Sequence, residues 1–284
     1  ENTGKDLYRR SLVENQSARL VCGYIYADAG EGESTTDLVF AGHNLICENG
    51  TLLRESERFT TGLITADLDL ERLRNERRRM TTFGPLDSEG YQRVAFTVRK
   101  APLSLERFVD PAPFVPGNKA DRDRRCEEIL LIQAMGLKKR LAHTGCKNAV
   151  VGISGGLDST LALLVTARAF DLLSLERTCI TAVTMPCFGT TDRTYTNACE
   201  LTRILGANLK EVDIRAAVNQ HFADIGHDPA DHSVTYENSQ ARERTQVLMD
   251  IANKGGGMVI GTGDMSELAL GWATYNGDHM SMYG

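Results

Sequence analysis

The sequence predicts an α/β protein whose C-terminal half is a parallel sheet with helices on both faces. Three observations carry this. Short apolar runs recur between longer helical stretches from Ala149 onward. Four of the seven prolines sit between Lys100 and Gly117, and the rhythm changes across them. A glycine-rich string, Gly152 to Thr160, falls where one apolar run hands over to a helical one. Alternation of strand and helix makes a parallel sheet covered on both sides.

Taken in order, the first third reads as strands. Leu20 to Tyr26 is apolar and aromatic, and Asp28-Ala-Gly-Glu-Gly breaks it. Leu38 to Phe40 and Asn44 to Cys47 flank an Ala41-Gly42-His43 turn, and Glu48-Asn-Gly50 is a second turn signal. Leu63 to Leu70 alternates as a half-buried strand should, and Asp69 can cap a charged helix running to about Arg79. The prolines after Lys100 remove backbone donors and disfavour helix before themselves, which predicts a linker. Next, Cys126, Leu130, Leu137 and Leu141 share one face of a long helix. Strands follow at Ala149–Ile153, Cys179–Thr184, Asn208–Ile214 and Met258–Gly261, with helices at Leu157–Phe170, Asn197–Leu205 and Arg242–Asn253.

The composition is that of a soluble globular chain, with 42% apolar and 25% charged residues over 284 positions, room for two domains. A net charge of -6 gives no footing for nucleic acid. The basic runs at Arg77–Arg79 and Arg122–Arg125 neighbour acidic residues and read as solvated helix faces. No apolar run approaches the ~20 residues that span a bilayer, so no membrane partner is expected. The seven cysteines are scattered without a CxxC pair, which argues against a zinc knuckle and for a reducing, cytoplasmic setting. A chain that opens on Glu1 without Met and stops on Gly284 reads as a fragment.

The string Gly152-Ile153-Ser154-Gly155-Gly156-Leu157-Asp158-Ser159-Thr160 is where chemistry is expected. Paired glycines let backbone approach a ligand, and a helix start offers unpaired N–H groups with partial positive charge. Such a turn cradles phosphate. The lysine-bearing nucleotide loop is excluded, because no Lys follows the glycines. A serine nucleophile elbow, G-x-S-x-G, does match around Ser154, and Asp213 and His221 follow in the required order, though only eight residues apart. The plain alternative is a turn that merely connects.

Ser154 to Thr160 resembles the S-G-G-x-D-S-S/T loop of the ATP pyrophosphatase family, which includes NAD, GMP and asparagine synthetases. Three more segments narrow the likeness: Thr184 to Thr191, Tyr236 to Arg244 and Gly261 to Asp278. Together they look like the glutamine-dependent NAD synthetase branch, nearly continuously from Phe114 to Gly284. Gly4-Lys5, Tyr8 to Arg10, Ser17 to Arg19 and Gly30 to Asp37 resemble the end of that branch's nitrilase-like glutaminase domain. The implied fold is a Rossmann-like, adenine nucleotide alpha hydrolase-like sheet preceded by part of an α+β nitrilase-like domain. The implied division is 1–100 glutaminase part, 101–118 linker and 119–284 synthetase domain, cut short at its end.

The resemblance also implies roles. ATP is expected at Gly152–Thr160 and Thr262, with Mg2+ on Asp158 and Glu267. Deamido-NAD+ is expected at Asn238, Arg242, Glu267, Trp272, Ala273, Thr274 and Tyr275. Lys5 falls where the family often has an Arg near the glutamine site; a plain surface Lys is the alternative. The Glu-Lys-Cys triad of the glutaminase would lie before Glu1, so no catalytic residue is expected in that part. Tyr275 stands where ammonia-dependent members carry Lys, in line with the glutamine-dependent branch. The implied function is adenylation of the nicotinate carboxylate, then amidation by glutamine-derived ammonia, in a homo-oligomer. Another amidotransferase of the family, such as GMP synthetase, is the alternative, with the serine hydrolase behind it.

Overall fold

The computed structural model describes residues 1–82, 89–97, 104–187 and 192–284. The chain divides into two units, Glu1–Pro113 and Phe114–Gly284.

The first unit is built on an antiparallel sheet of β1 (Gly23–Tyr26), β2 (Leu45–Glu48) and β3 (Thr51–Glu55) in that order. Asn49 and Gly50 both take positive φ, 45° and 83°, the backbone that joins two right-twisted strands in two residues. Helix α1 (Lys5–Leu20) packs on the sheet: Val13 meets buried Leu45 and Cys47, and Ser17 Oγ accepts the Gly50 amide at 2.8 Å. This helix is a correction to the all-strand reading of the first third. Its apolar side chains are few and several of them, Leu7 and Leu12 among them, are exposed, so helical periodicity does not stand out. The expected strands at Leu38–Phe40 and Leu63–Leu70 do not form either. Leu63 is 89% exposed, so the alternation there has no partner face to bury. Helix α2 (Leu70–Arg79) forms as expected, its Asp69 cap accepting the Arg72 amide at 2.9 Å.

Behind β2, Arg107 makes a paired contact with the buried Glu48 carboxylate, at 2.7 and 2.8 Å. The Asp69 amide donates to the same carboxylate at 2.6 Å. This ties the proline-rich segment to the sheet. Of the expected linker, 101–103 lies outside the described residues; 104–118 has no helix or strand.

The second unit holds a parallel sheet ordered β6-β5-β4-β7. Its strands are β4 (Ala149–Gly152), β5 (Ile180–Thr184), β6 (Asn208–Glu211) and β7 (Met258–Ile260). Period-two alternation sends Ala149, Val151, Ile180, Ala182, Met258 and Ile260 to one face. There they meet α3 (Lys119–Thr144), α4 (Leu157–Leu172) and α5 (Asp192–Leu205) through Leu137, Leu141, Leu163, Phe170 and Ala198. Val150, Val183 and Val259 point the other way, onto Leu248 and Ala252 of α7 (Val234–Gly255). Helix α6 (Arg215–Ile225) adds a satellite cluster of Ile214, Val218 and Phe222. The expected helix face over residues 126–141 holds at Leu137 and Leu141, but Cys126 is exposed and Ala134 is buried in its stead. A short helix α8 (Met265–Leu270) follows β7. Among the described residues no helix is long and apolar enough to cross a membrane.

Candidate functional site

The chain leaves β4 centrally and takes β5 and β6 to one side and β7 to the other. The direction of winding therefore reverses between β4 and β7, and a crevice opens beyond the carboxyl ends of those strands. The glycine string leaves β4 at this point, and Thr262 leaves β7 beside it.

The string is held open by its own side chains. Ile153 extends the ladder by donating its amide to Val183 O at 2.8 Å and is buried. Ser159, also buried, accepts the Ser154 amide at 3.3 Å and donates to Gly156 O at 3.2 Å. Its Oγ lies 3.1 Å from Ser154 Oγ, which accepts the Gly156 amide at 3.2 Å. Gly155 takes φ +83°, and a Cβ there would lie 2.0 Å from Thr194 O on α5. Only glycine fits that position.

Helix α4 then starts at Gly156 with no side chain capping it. The first-turn amides of Leu157, Asp158 and Ser159 have no carbonyl one turn back to accept them. Helix dipole and open donors together make a site for an anion. Leu157 and Asp158 are exposed, and Thr160 is half-buried. A cleft of about 590 Å³ lies between the start of α4 and α5, bounded by Gly155, Gly156, Leu157 and Thr160 on one side and Arg193, Thr194, Asn197, Glu200, Leu201 and Ile204 on the other. Arg193 and Asn197 were not singled out by sequence, and only folding brings them to the glycines. Phe188 to Thr191, the end of the expected Thr184–Thr191 segment, lies outside the described residues.

The second group of expected residues gathers on α7. Asn238 Oδ1 accepts the Tyr275 amide at 3.1 Å, and Arg242 Nε donates to Tyr275 O at 3.2 Å. Thr245 Oγ1 lies 2.9 Å from Gly277 O, and Arg244 approaches Asp278 at 3.9 Å. The turn 274–278 is thus strapped along the helix. Trp272 and Tyr275 hold their rings 78% and 72% exposed; Ala273 is exposed and Thr274 half-buried. Thr274 Oγ1 accepts the Asp278 amide at 3.0 Å. Glu267 closes a capping box with Asp264: its amide donates to Asp264 Oδ1 at 2.7 Å, and its Oε2 accepts the Asp264 amide at 3.1 Å. A carboxylate so engaged has one oxygen left for another partner. Asp158 and Glu267 make no direct contact with each other, but stand in the first turns of the helices that follow two paired strands. Lys5 is exposed in the first turn of α1.

Ser154 Oγ contacts Ser159 and the Gly156 amide, and no histidine touches it among the described residues. Asp213 is exposed and bound to Arg215, whose guanidinium holds the carboxyl down at about 2. Among the described residues the elbow has neither base nor orienting acid, so the hydrolase reading is not favoured.

Among the described residues no three His, Cys, Asp or Glu side chains are placed to cage a metal. The donor set fits a different habit: Mg2+ takes one or two carboxylates and completes its shell with phosphate oxygens and water. Asp158, exposed in the first turn of α4, and the free oxygen of Glu267 suit that pattern.

A family model described as NAD synthase matches residues 131–282. The glutamine-dependent NAD(+) synthetase of Mycobacterium leprae is 46% identical over 290 residues, covering 97% of this chain and 43% of that protein. The enzyme of the same description from Mycobacterium tuberculosis H37Rv is 44% identical over 290 residues, with the same coverage of 97% and 43%. The chain thus spans less than half the length of these curated relatives. In fold, it is similar to a glutamine-dependent NAD+ synthetase from Acinetobacter baumannii solved with ADP, at TM-score 0.52 and 23% identity, over 100% of this chain and 46% of that one.

Proposed function

We infer the function from one premise: this chain belongs to the NAD synthase family. Our reading is that it forms the middle of a glutamine-dependent NAD+ synthetase. Its second unit would adenylate the nicotinate carboxylate of deamido-NAD+ with ATP and then pass the acyl group to ammonia. Its first unit would be the end of a nitrilase-like glutaminase that supplies the ammonia, with its triad upstream of Glu1. Residues 101–118 would be the tether between the two.

The observation that carries this reading is the uncapped start of α4 behind Gly155 and Gly156, at the point where the sheet reverses its winding. A carboxylate does not accept ammonia readily, because its oxygen leaves poorly. Attack of that oxygen on the α-phosphorus breaks the bond to the bridging oxygen and releases pyrophosphate. The departing group gains negative charge, and fixed donors aimed at that charge are the most effective form of assistance. The amides of Leu157, Asp158 and Ser159 and the hydroxyls of Ser154 and Thr160 are such donors. Ammonia then adds to the acyl carbon, loses a proton to solvent and expels AMP. Little acid–base work falls to side chains, so positioning does most of the work. Mg2+, when bound, would neutralise phosphate charge, held by Asp158 and Glu267.

Thr262, beside the string, suits the nucleotide. Trp272 and Tyr275 offer exposed rings that can stack on a nicotinate, and Asn238 and Arg242 hold the Tyr275 backbone. The protein is proposed to act in the cytoplasm as a homo-oligomer. The test is isotope exchange between pyrophosphate and ATP in the intact protein. Exchange should appear only with deamido-NAD+ present. Exchange without it, or with xanthosine monophosphate in its place, would overturn the substrate assignment.

A further inference from the structure

The residues expected to touch the dinucleotide spend their polar atoms on the chain itself. Asn238 and Arg242 grip the two sides of one peptide residue, Tyr275, through its amide and its carbonyl. One turn further along α7, Thr245 Oγ1 donates to the Gly277 carbonyl. Gly277 is buried, and a Cβ on it would lie 2.7 Å from Ala241 Cβ and 2.4 Å from Thr274 Oγ1. Ala241 is itself only 1% exposed. The turn therefore lies flat on the helix because one contact partner has no side chain and the other has only a methyl group. Between the two attachment points Asn276 takes φ +53°, a backbone that non-glycine residues adopt at a cost and keep only where surrounding contacts hold it. The rings of Trp272 and Tyr275 point outward from this strapped segment.

We propose that Thr245 and Gly277 are positioning residues that fix the 274–278 turn on α7 and so set where the exposed Tyr275 ring meets the nicotinate end of deamido-NAD+. This rests on the function proposed above. Thr245 and Gly277 act through Tyr275 and touch neither ATP nor the reacting atoms. Thr245 Oγ1 lies between two carbonyls, Gly277 O at 2.9 Å and Ala241 O at 3.1 Å, the latter within its own helix. Removing the hydroxyl leaves Gly277 O without this partner while the helix keeps its ladder.

The test is steady-state kinetics of the intact protein with free ammonia, varying deamido-NAD+ and ATP separately. Thr245→Val keeps the side chain's shape and removes the hydroxyl. It should raise KM for deamido-NAD+ roughly two- to tenfold, the worth of one lost hydrogen bond, and leave KM for ATP within about twofold. Thr245→Ser should restore the wild-type value. Gly277→Ala, which pushes the turn off the helix, should raise the same KM further. Unchanged KM for deamido-NAD+ in both Thr245→Val and Gly277→Ala would overturn the proposal. So would an equal rise in both KM values with loss of thermal stability, because that is the mark of general packing loss. Absence of deamido-NAD+-dependent exchange in the wild type would instead sink the functional reading beneath it.

Discussion

Replacing Gly155 by alanine isolates the physical requirement of the turn proposed to bind an anion. Two costs are legible at that residue. Its φ of +83° places an L side chain in the left-handed region, at about 1–2 kcal/mol. The new Cβ would lie 2.0 Å from Thr194 O, a backbone atom that cannot swing aside as a side chain would. Relief needs the turn and α5 to part by more than about 1 Å, which adds roughly 1–3 kcal/mol of overpacking. The sum, on the order of 2–5 kcal/mol, should lower Tm of this unit by roughly 4–20 °C. The effect on activity should be larger than the stability loss alone implies, because donors moved by 1 Å can cost about a hundredfold in rate. The assay is pyrophosphate–ATP exchange at a temperature where circular dichroism shows the variant folded. A folded Gly155→Ala protein with wild-type exchange would refute the placement of phosphate at this turn.

Three further outcomes follow from buried charges and thiols. Arg107→Ala strands the Glu48 carboxylate, whose side chain is only 2% exposed, and should destabilise by about 3 kcal/mol, read from urea unfolding. The Arg107 guanidinium holds the Glu48 carboxyl below its ordinary value, against burial, with the Asp69 amide assisting. The pair's contribution is therefore full above the unfolded value near 4.5 and fades as pH falls through the folded one; Arg107→Ala should flatten stability against pH on that acid side. Burial also pushes the Cys47 thiol up to about 11. Iodoacetamide at pH 8 should therefore label exposed Cys126 and spare Cys47 until the protein is unfolded, as mass spectrometry of the peptides would show.

Several elements were legible because their signals are local. The apolar runs at β4, β5 and β7 are short, bounded and buried on both faces, so they read as parallel strands without knowledge of their neighbours. Asp69 marks its helix because a cap acts within three residues. Helix α1 was missed for the opposite reason: its buried positions, Arg9, Val13 and Ser17, include two polar residues. Arg9 is buried because Glu1, Asp28 and His43 surround it, and residues so far apart in sequence leave no periodic trace. The strand expected at Leu63–Leu70 alternates well, but alternation states a preference and a sheet edge must be there to meet it.

The sequence alone marked out the turn proposed to bind phosphate, since glycine spacing, hydroxyls and the strand-to-helix hand-over all act over nine neighbouring residues. It also determined strands β4, β5 and β7 of the parallel sheet, since burial on two faces demands continuous apolar runs. Only the tertiary structure decided that Arg193 and Asn197 face the glycines and that Asn238, Arg242 and Thr245 hold the backbone of Tyr275 and Gly277. Those contacts join residues more than 30 positions apart, and whether a polar side chain spends its hydrogen bonds on a ligand or on its own chain is settled by what packing brings within hydrogen-bond distance.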